Sequence, residues 1–220
     1  MRIKIKICCI SSESEAKLAV ATGADALGLV GPMPSGPGVI GNDQIAEINL
    51  IAHPPVETFL LTSETSAAGV IQHHRKVNTS TIQMVDSLTE GSYHQIKSAL
   101  PGVKLVQVVH VVGESTIETA IALAPKVDAL LLDSGNPNLL VKELGGTGRT
   151  HNWALSHRIV KAVGVPVYLA GGLQPSNVKE AIRKVRPFGV DVCSGVRTDG
   201  QLDQEKLSAF VKAVRSEDKQ

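Results

Sequence analysis

Two neighbouring cysteines, Cys8 and Cys9, close the apolar run that opens this 220-residue chain, in the stretch "KICCIS". Deprotonated, a thiol becomes a nucleophile or a proton acceptor, so a cysteine at the end of a strand marks a place for chemistry. Far along the chain Asp133 ends a second such run, "VDALLLD". A carboxyl there serves equally as a helix cap, a turn residue or an acid. Glycines crowd three later stretches, "DSGNPNLLVKELGGTGRTHNW", "AGGLQPSN" and "CSGVRTDG". Without side chains they let backbone N–H groups approach a ligand closely, and a helix start behind such a loop favours an anion.

These residues need a scaffold, and the hydrophobic pattern supplies one. Short β-branched segments recur eight times: "IKIKICC", "ADALGLV", "VETFLLT", "TIQMVD", "VKLVQVVHV", "VDALLLD", "VPVYLAG" and "VDVCSG". Amphipathic stretches separate them, among them "SSESEAKLAVATGA", where Ser12 caps and Glu15 is placed for a capping box. Pro175 suits the first turn of the helix in "PSNVKEAIRKV". Eight strands alternating with helices over 220 residues predict an α/β chain forming a single (β/α)8 TIM barrel domain over residues 1–220. No Gly-x-Gly-x-x-Gly follows the first strand, which argues against a doubly wound nucleotide fold.

A barrel places its chemistry at the carboxyl ends of its strands. Side chains alternate along a strand, so Lys4, Lys6 and Cys8 share the inward face and Ile3, Ile5, Ile7 and Cys9 pack under the helices. On this reading the two cysteines cannot face one site. Cys8 sits at the catalytic end, and Cys9 is a small buried apolar residue. Inward lysines need partners, and Asp191 on the neighbouring eighth strand is expected to neutralise Lys4 or Lys6 as a structural ion pair. Phosphate in this fold sits after strands seven and eight, which makes Gly146, Thr147, Gly148, Gly171, Gly172, Ser194 and Gly195 expected phosphate contacts.

Over essentially its whole length the chain resembles the phosphoribosylanthranilate isomerase family of tryptophan biosynthesis. "KICCIS", "GADALGLV", "LLDS", "GGTGRTHNW", "LAGGLQPSNV" and "CSGVRTDG" match that family's motifs in order and in barrel position. The resemblance implies an Amadori rearrangement, aminoaldose phosphate to aminoketose, with no metal or organic cofactor. It implies that Cys8 is the general base for the sugar C2 proton and Asp133 the general acid at the ring oxygen. A free thiol titrates near pH ~8.5, so positive surroundings, with Lys6 a source, are needed to favour the thiolate. Burial at the mouth of an apolar barrel suits Asp133 to stay protonated.

The chain also departs from that pattern. The family's Ser-Pro-Arg after strand two, whose arginine meets the anthranilate carboxylate, is replaced by "GPMPSGPGVI", and no arginine occurs between Lys17 and Arg75. On strand four Gln83 is kept as a substrate contact, while Val85 stands where the family has histidine. Cys9 replaces a glycine, and Arg197 replaces a glutamate. Arg197 is read as an exposed loop residue or as a contact to an acidic ligand. His110, His151 and Cys193 could join Cys8 and Asp133 around a metal, but no compact zinc spacing is present and none is expected. His73 and His74 are expected on a solvated helix face.

Composition restricts the partners. With 43% apolar and 20% charged residues and a net charge of +1, neither a nucleic-acid surface nor a membrane anchor is indicated. Three cysteines imply no disulfide framework and fit a reducing cytoplasm. The expected partner is a phosphorylated small molecule, and monomer and homodimer stay open. Two other readings remain at this level: a barrel enzyme for a phosphosugar lacking the anthranilate group, and a non-catalytic phosphosugar binder.

Overall fold

The computed structural model describes residues 2–34, 36–135 and 150–218. Eight parallel strands close into a barrel: β1 Lys4–Ile7, β2 Ala26–Val30, β3 Glu57–Thr62, β4 Thr81–Met84, β5 Lys104–His110, β6 Ala129–Asp133, β7 Val167–Leu169 and β8 Gly189–Val192. β8 pairs back onto β1, with Lys6 opposite Asp191 and Ile7 opposite Val192. The helices are α1 Glu13–Thr22, α2 Asn42–Ile51, α3 Ala67–Val77, α4 Tyr93–Ala99, α5 Ser115–Leu123, α6 Trp153–Ala162, α7 Val178–Val185 and α8 Gln204–Arg215. A two-stranded hairpin, β9 Arg197–Thr198 and β10 Gln201–Leu202, precedes α8.

Alternation along each strand sorts the core into two layers. Ile5, Ile7, Leu27, Leu29, Leu60, Ile82, Leu130, Leu132, Leu169 and Val190 fill the shell between strands and helices. Each such side chain contributes roughly 1.5–3 kcal/mol when fully buried. Ala26, Val30, Phe59, Leu61, Val106, Val108, Leu131 and Tyr168 fill the barrel interior. The same parity carries Gln83, Asp133 and Asp191 inward along their own strands.

The inward lysines divide. Lys6 is fully buried, its Nζ 2.9 Å from Asp191 Oδ1 and 5.3 Å from the centre of the Phe59 ring. Burial works against its charge, yet Asp191 more than offsets this and holds the Lys6 pKa above the usual lysine value. Removing one member of such a pair leaves the other charge stranded, at about 3–5 kcal/mol. Lys4 lies lower, half-exposed, with Nζ 3.6 Å from Asp25. The expected Asp191 pairing is therefore met by Lys6.

Several local expectations need correction. Ser12 does cap α1, accepting from the Glu15 N–H at 3.2 Å, but the Glu15 carboxylate turns to the Ser11 N–H, to Arg197 and to the Leu202 N–H. An ion-pair partner outcompetes the reciprocal half of the capping box. α7 begins at Val178, and Pro175 lies in the turn before it. His73 and His74 are buried: His73 bridges Thr62 Oγ1 at 2.8 Å and Asn42 Oδ1 at 3.0 Å, and His74 Nε2 bonds the Thr79 carbonyl at 2.7 Å. They lie on the inner face of α3, against β3 and the start of β4.

Candidate active site

At the carboxyl ends of the strands a pocket opens, enclosing roughly 700 Å³ including its open mouth. It gathers Cys8 from the end of β1, Gln83 from β4, Asp133 from β6, Gly171 and Gly172 after β7, and Asp191 and Ser194 from β8 and its turn. The thiol and the carboxyl singled out in sequence thus share one cavity. Val30, Met33, Pro37, Leu61, Val85 and Leu131 form its apolar wall.

Cys8 reaches this position because β1 ends at Ile7 and the Cys8 N–H is still tied to the Val192 carbonyl at 2.8 Å. Gly28 on β2 gives it room. A Cβ there would lie 2.9 Å from both the Cys8 sulfur and the Lys6 Nζ. The ammonium and the thiol therefore flank the same bare backbone, placing positive charge beside the Cys8 thiol. Gly28 was missed in the sequence, although its parity with Ala26 and Val30 marks it as inward.

Asp133 is 7% exposed, and burial raises its pKa above the ordinary carboxylate value. The Ser134 N–H donates to Oδ1 at 2.7 Å and His110 lies within electrostatic reach; both pull the other way without reversing the shift. His110 stands opposite Asp133 in the β5–β6 register, and burial lowers its own pKa. Gln83 is 3% exposed and its Oε1 has no partner among the described residues, which leaves an acceptor ready for a ligand in the pocket.

The glycines after β7 have a distinctive backbone geometry. Gly171 and Gly172 adopt left-handed φ of 82° and 61°, and among the described residues their N–H groups donate to nothing. Ser194 lines the pocket beside them. Gly195 is tightly packed: a Cβ there would fall 2.0 Å from the Leu173 carbonyl oxygen, and its bare backbone lets the β8 turn close onto the β7 loop. Gly146, Thr147 and Gly148 lie outside the described residues.

Three further expectations change. Cys9 does not pack under the helices: its φ of 62° breaks strand alternation, and it lines the same pocket as Cys8 with its sulfur 2.6 Å from that of Cys193. Strand parity fails here because the strand has already ended. Arg197 is no exposed loop residue. Its guanidinium meets Glu15 at 2.7 Å and donates to the Gly200 and Cys9 carbonyls, which makes it a clamp on the end of β1. His151 lies in a separate surface hollow with Nε2 2.7 Å from Ser156 Oγ, its pKa lowered to about 4 by burial. Among the described residues no three histidine, cysteine or acidic side chains group as metal ligands would.

A family model described as N-(5'-phosphoribosyl)anthranilate (PRA) isomerase matches residues 5–213. The N-(5'-phosphoribosyl)anthranilate isomerase of Methanocella arvoryzae is 34% identical over 213 residues, covering 96% of this chain and 98% of the relative. That of Haloferax volcanii is 35% identical over 215 residues, covering 97% and 93%. Among solved structures, the phosphoribosyl anthranilate isomerase of Thermococcus kodakaraensis superposes with a TM-score of 0.78 at 30% identity, over 97% of this chain and 99% of that one.

Proposed function

The chain belongs to the N-(5'-phosphoribosyl)anthranilate isomerase family, and from that premise we propose how its own residues carry the reaction. The enzyme is an isomerase of tryptophan biosynthesis that performs the Amadori rearrangement of an aminoaldose phosphate. Asp133 gives its proton to the ring oxygen as the C1–O bond breaks, and the nitrogen lone pair forms a C=N bond. Cys8, as thiolate, then takes the C2 proton, the C–H electrons become a C1=C2 bond, and the nitrogen recovers its lone pair. Reprotonation at C1 and loss of the C2 hydroxyl proton give the ketose. Atoms and electrons balance within the substrate, so no redox partner enters.

The observation that carries these roles is the meeting of Cys8 and Asp133 in one cavity, with a buried acid whose pKa is raised. Both are what a base–acid pair requires. On this reading the phosphate meets Gly171, Gly172 and Ser194, which line the pocket, and Gln83 supplies a hydrogen bond to the sugar. The aromatic ring then rests on Met33, Pro37 and Val85. No cation lines the pocket among its described residues, so the carboxylate of that ring has lost the partner that the family's arginine gives it. A cytoplasmic location fits the unpaired cysteines, and among the described residues no helix is long and apolar enough to cross a membrane.

Mixing the purified protein with freshly made phosphoribosylanthranilate should bring loss of anthranilate-type fluorescence, and the gene should restore growth to a tryptophan-requiring strain lacking the isomerase. Binding that inorganic phosphate competes away, without turnover, would shift the assignment to another phosphosugar or to a binding protein.

A further inference from the structure

The pocket holds more sulfur than the rearrangement uses. Cys9 and Cys193 come from the adjoining ends of β1 and β8, and their sulfurs share a hydrogen bond at 2.6 Å. Cys9 is held in the left-handed region, which a side chain tolerates only when its surroundings fix it, and Arg197 does so by donating to its carbonyl. The result aims the sulfur at Cys193 and away from the helical shell. Cys193, half-buried on the pocket wall, is held below the usual thiol range first by its hydrogen bond to Cys9 and also by the charges of Arg197 and Lys6.

We infer that Cys9 and Cys193 are a redox-active thiol pair at the active-site mouth, which a peroxide converts to a disulfide while Cys8 stays free. The Cys193 thiolate attacks one oxygen of hydrogen peroxide, the O–O bond breaks, and hydroxide leaves a sulfenic acid behind. The Cys9 sulfur then attacks Cys193 Sγ, the S–O bond breaks, and the departing hydroxide takes the Cys9 proton. Two thiols lose two electrons, the peroxide gains them, and two waters form. The sulfurs must approach only from 2.6 Å to about 2.05 Å. β1 and β8 need not separate, and the pair consumes oxidant ahead of the neighbouring Cys8.

The test treats the full chain with one equivalent of hydrogen peroxide, alkylates the remaining thiols and maps the peptides. The expected product is lighter by two hydrogens, carries Cys9 joined to Cys193 with Cys8 alkylated, and regains full turnover with dithiothreitol. Cys8→Ala, inactive on the proposed mechanism, should cross-link at the same rate, so the two assignments stand or fall separately. Cys193→Ser and Cys9→Gly should form no cross-link, and Cys8 in them should oxidise several-fold faster. Glycine fits the left-handed position, which gives the second variant a fold independent of the first. A cross-link containing Cys8, or three cysteines all alkylatable after peroxide, would overturn the inference.

Discussion

Cys8→Ala is expected to lower kcat by about 10²- to 10⁴-fold, the usual contribution of one general base. The change removes a single buried sulfur beside Gly28 and Lys6, so the barrel should fold and its far-ultraviolet spectrum should match the parent. Substrate binding should persist, because the proposed phosphate contacts after β7 and β8 are untouched. Loss of kcat with little change in binding separates a base from a packing residue. Cys8→Ser should remain nearly as slow as alanine, since a hydroxyl restores volume without an accessible anion. Near-parental turnover in either variant would place the base elsewhere.

Asp133→Asn should cost a similar factor, about 10² to 10⁴, and at the same time raise the melting temperature near neutral pH. The stability sign follows from linkage. Burial raises the folded-state pKa of Asp133 above its ordinary value, so the group favours folding at low pH, and that contribution is lost as pH rises through the folded pKa. Asparagine escapes this loss, and its side-chain oxygen can still accept the Ser134 N–H now received by Oδ1 at 2.7 Å. A residue that improves stability when neutralised, yet is needed for rate, is kept for its chemistry. In the parent, kcat/KM should decline as pH rises past the Asp133 pKa, because the acid form is consumed, and the Asn variant should lack that limb. A variant that is both less stable and fully active would contradict the assignment.

How much was legible in sequence depends on how regular the backbone is. Strand identity, barrel closure and the Lys6–Asp191 pair follow from alternation and from the adjacency of the first and last strands. Extending that parity to β2 would also have found Gly28, and it puts Gln83 and Asp133, already singled out, on the inward faces of β4 and β6. Parity gave out at Cys9, one residue beyond Cys8, where a left-handed φ turned the side chain into the pocket. Arg197 and Glu15 were opaque for another reason. Their partnership spans 182 residues and is created by closure of the barrel, so neither local spacing nor charge pattern reports it. His73 and His74 illustrate a third limit: a polar side chain can occupy the buried face of a helix when strand and loop oxygens receive its nitrogens. The close packing of Gly195 on Leu173, which the glycine-rich pattern alone did not report, reflects steric need between two loops.

The most direct test of the central claim is a crystal structure with the reduced product analogue 1-(o-carboxyphenylamino)-1-deoxyribulose 5-phosphate. The mechanism predicts phosphate against Gly171, Gly172 and Ser194, the Cys8 sulfur at C2 and the Asp133 carboxyl at the former ring oxygen, each within about 3–3.5 Å of its target atom. An analogue bound with Cys8 turned away from C2, or Asp133 turned away from that oxygen, would contradict it.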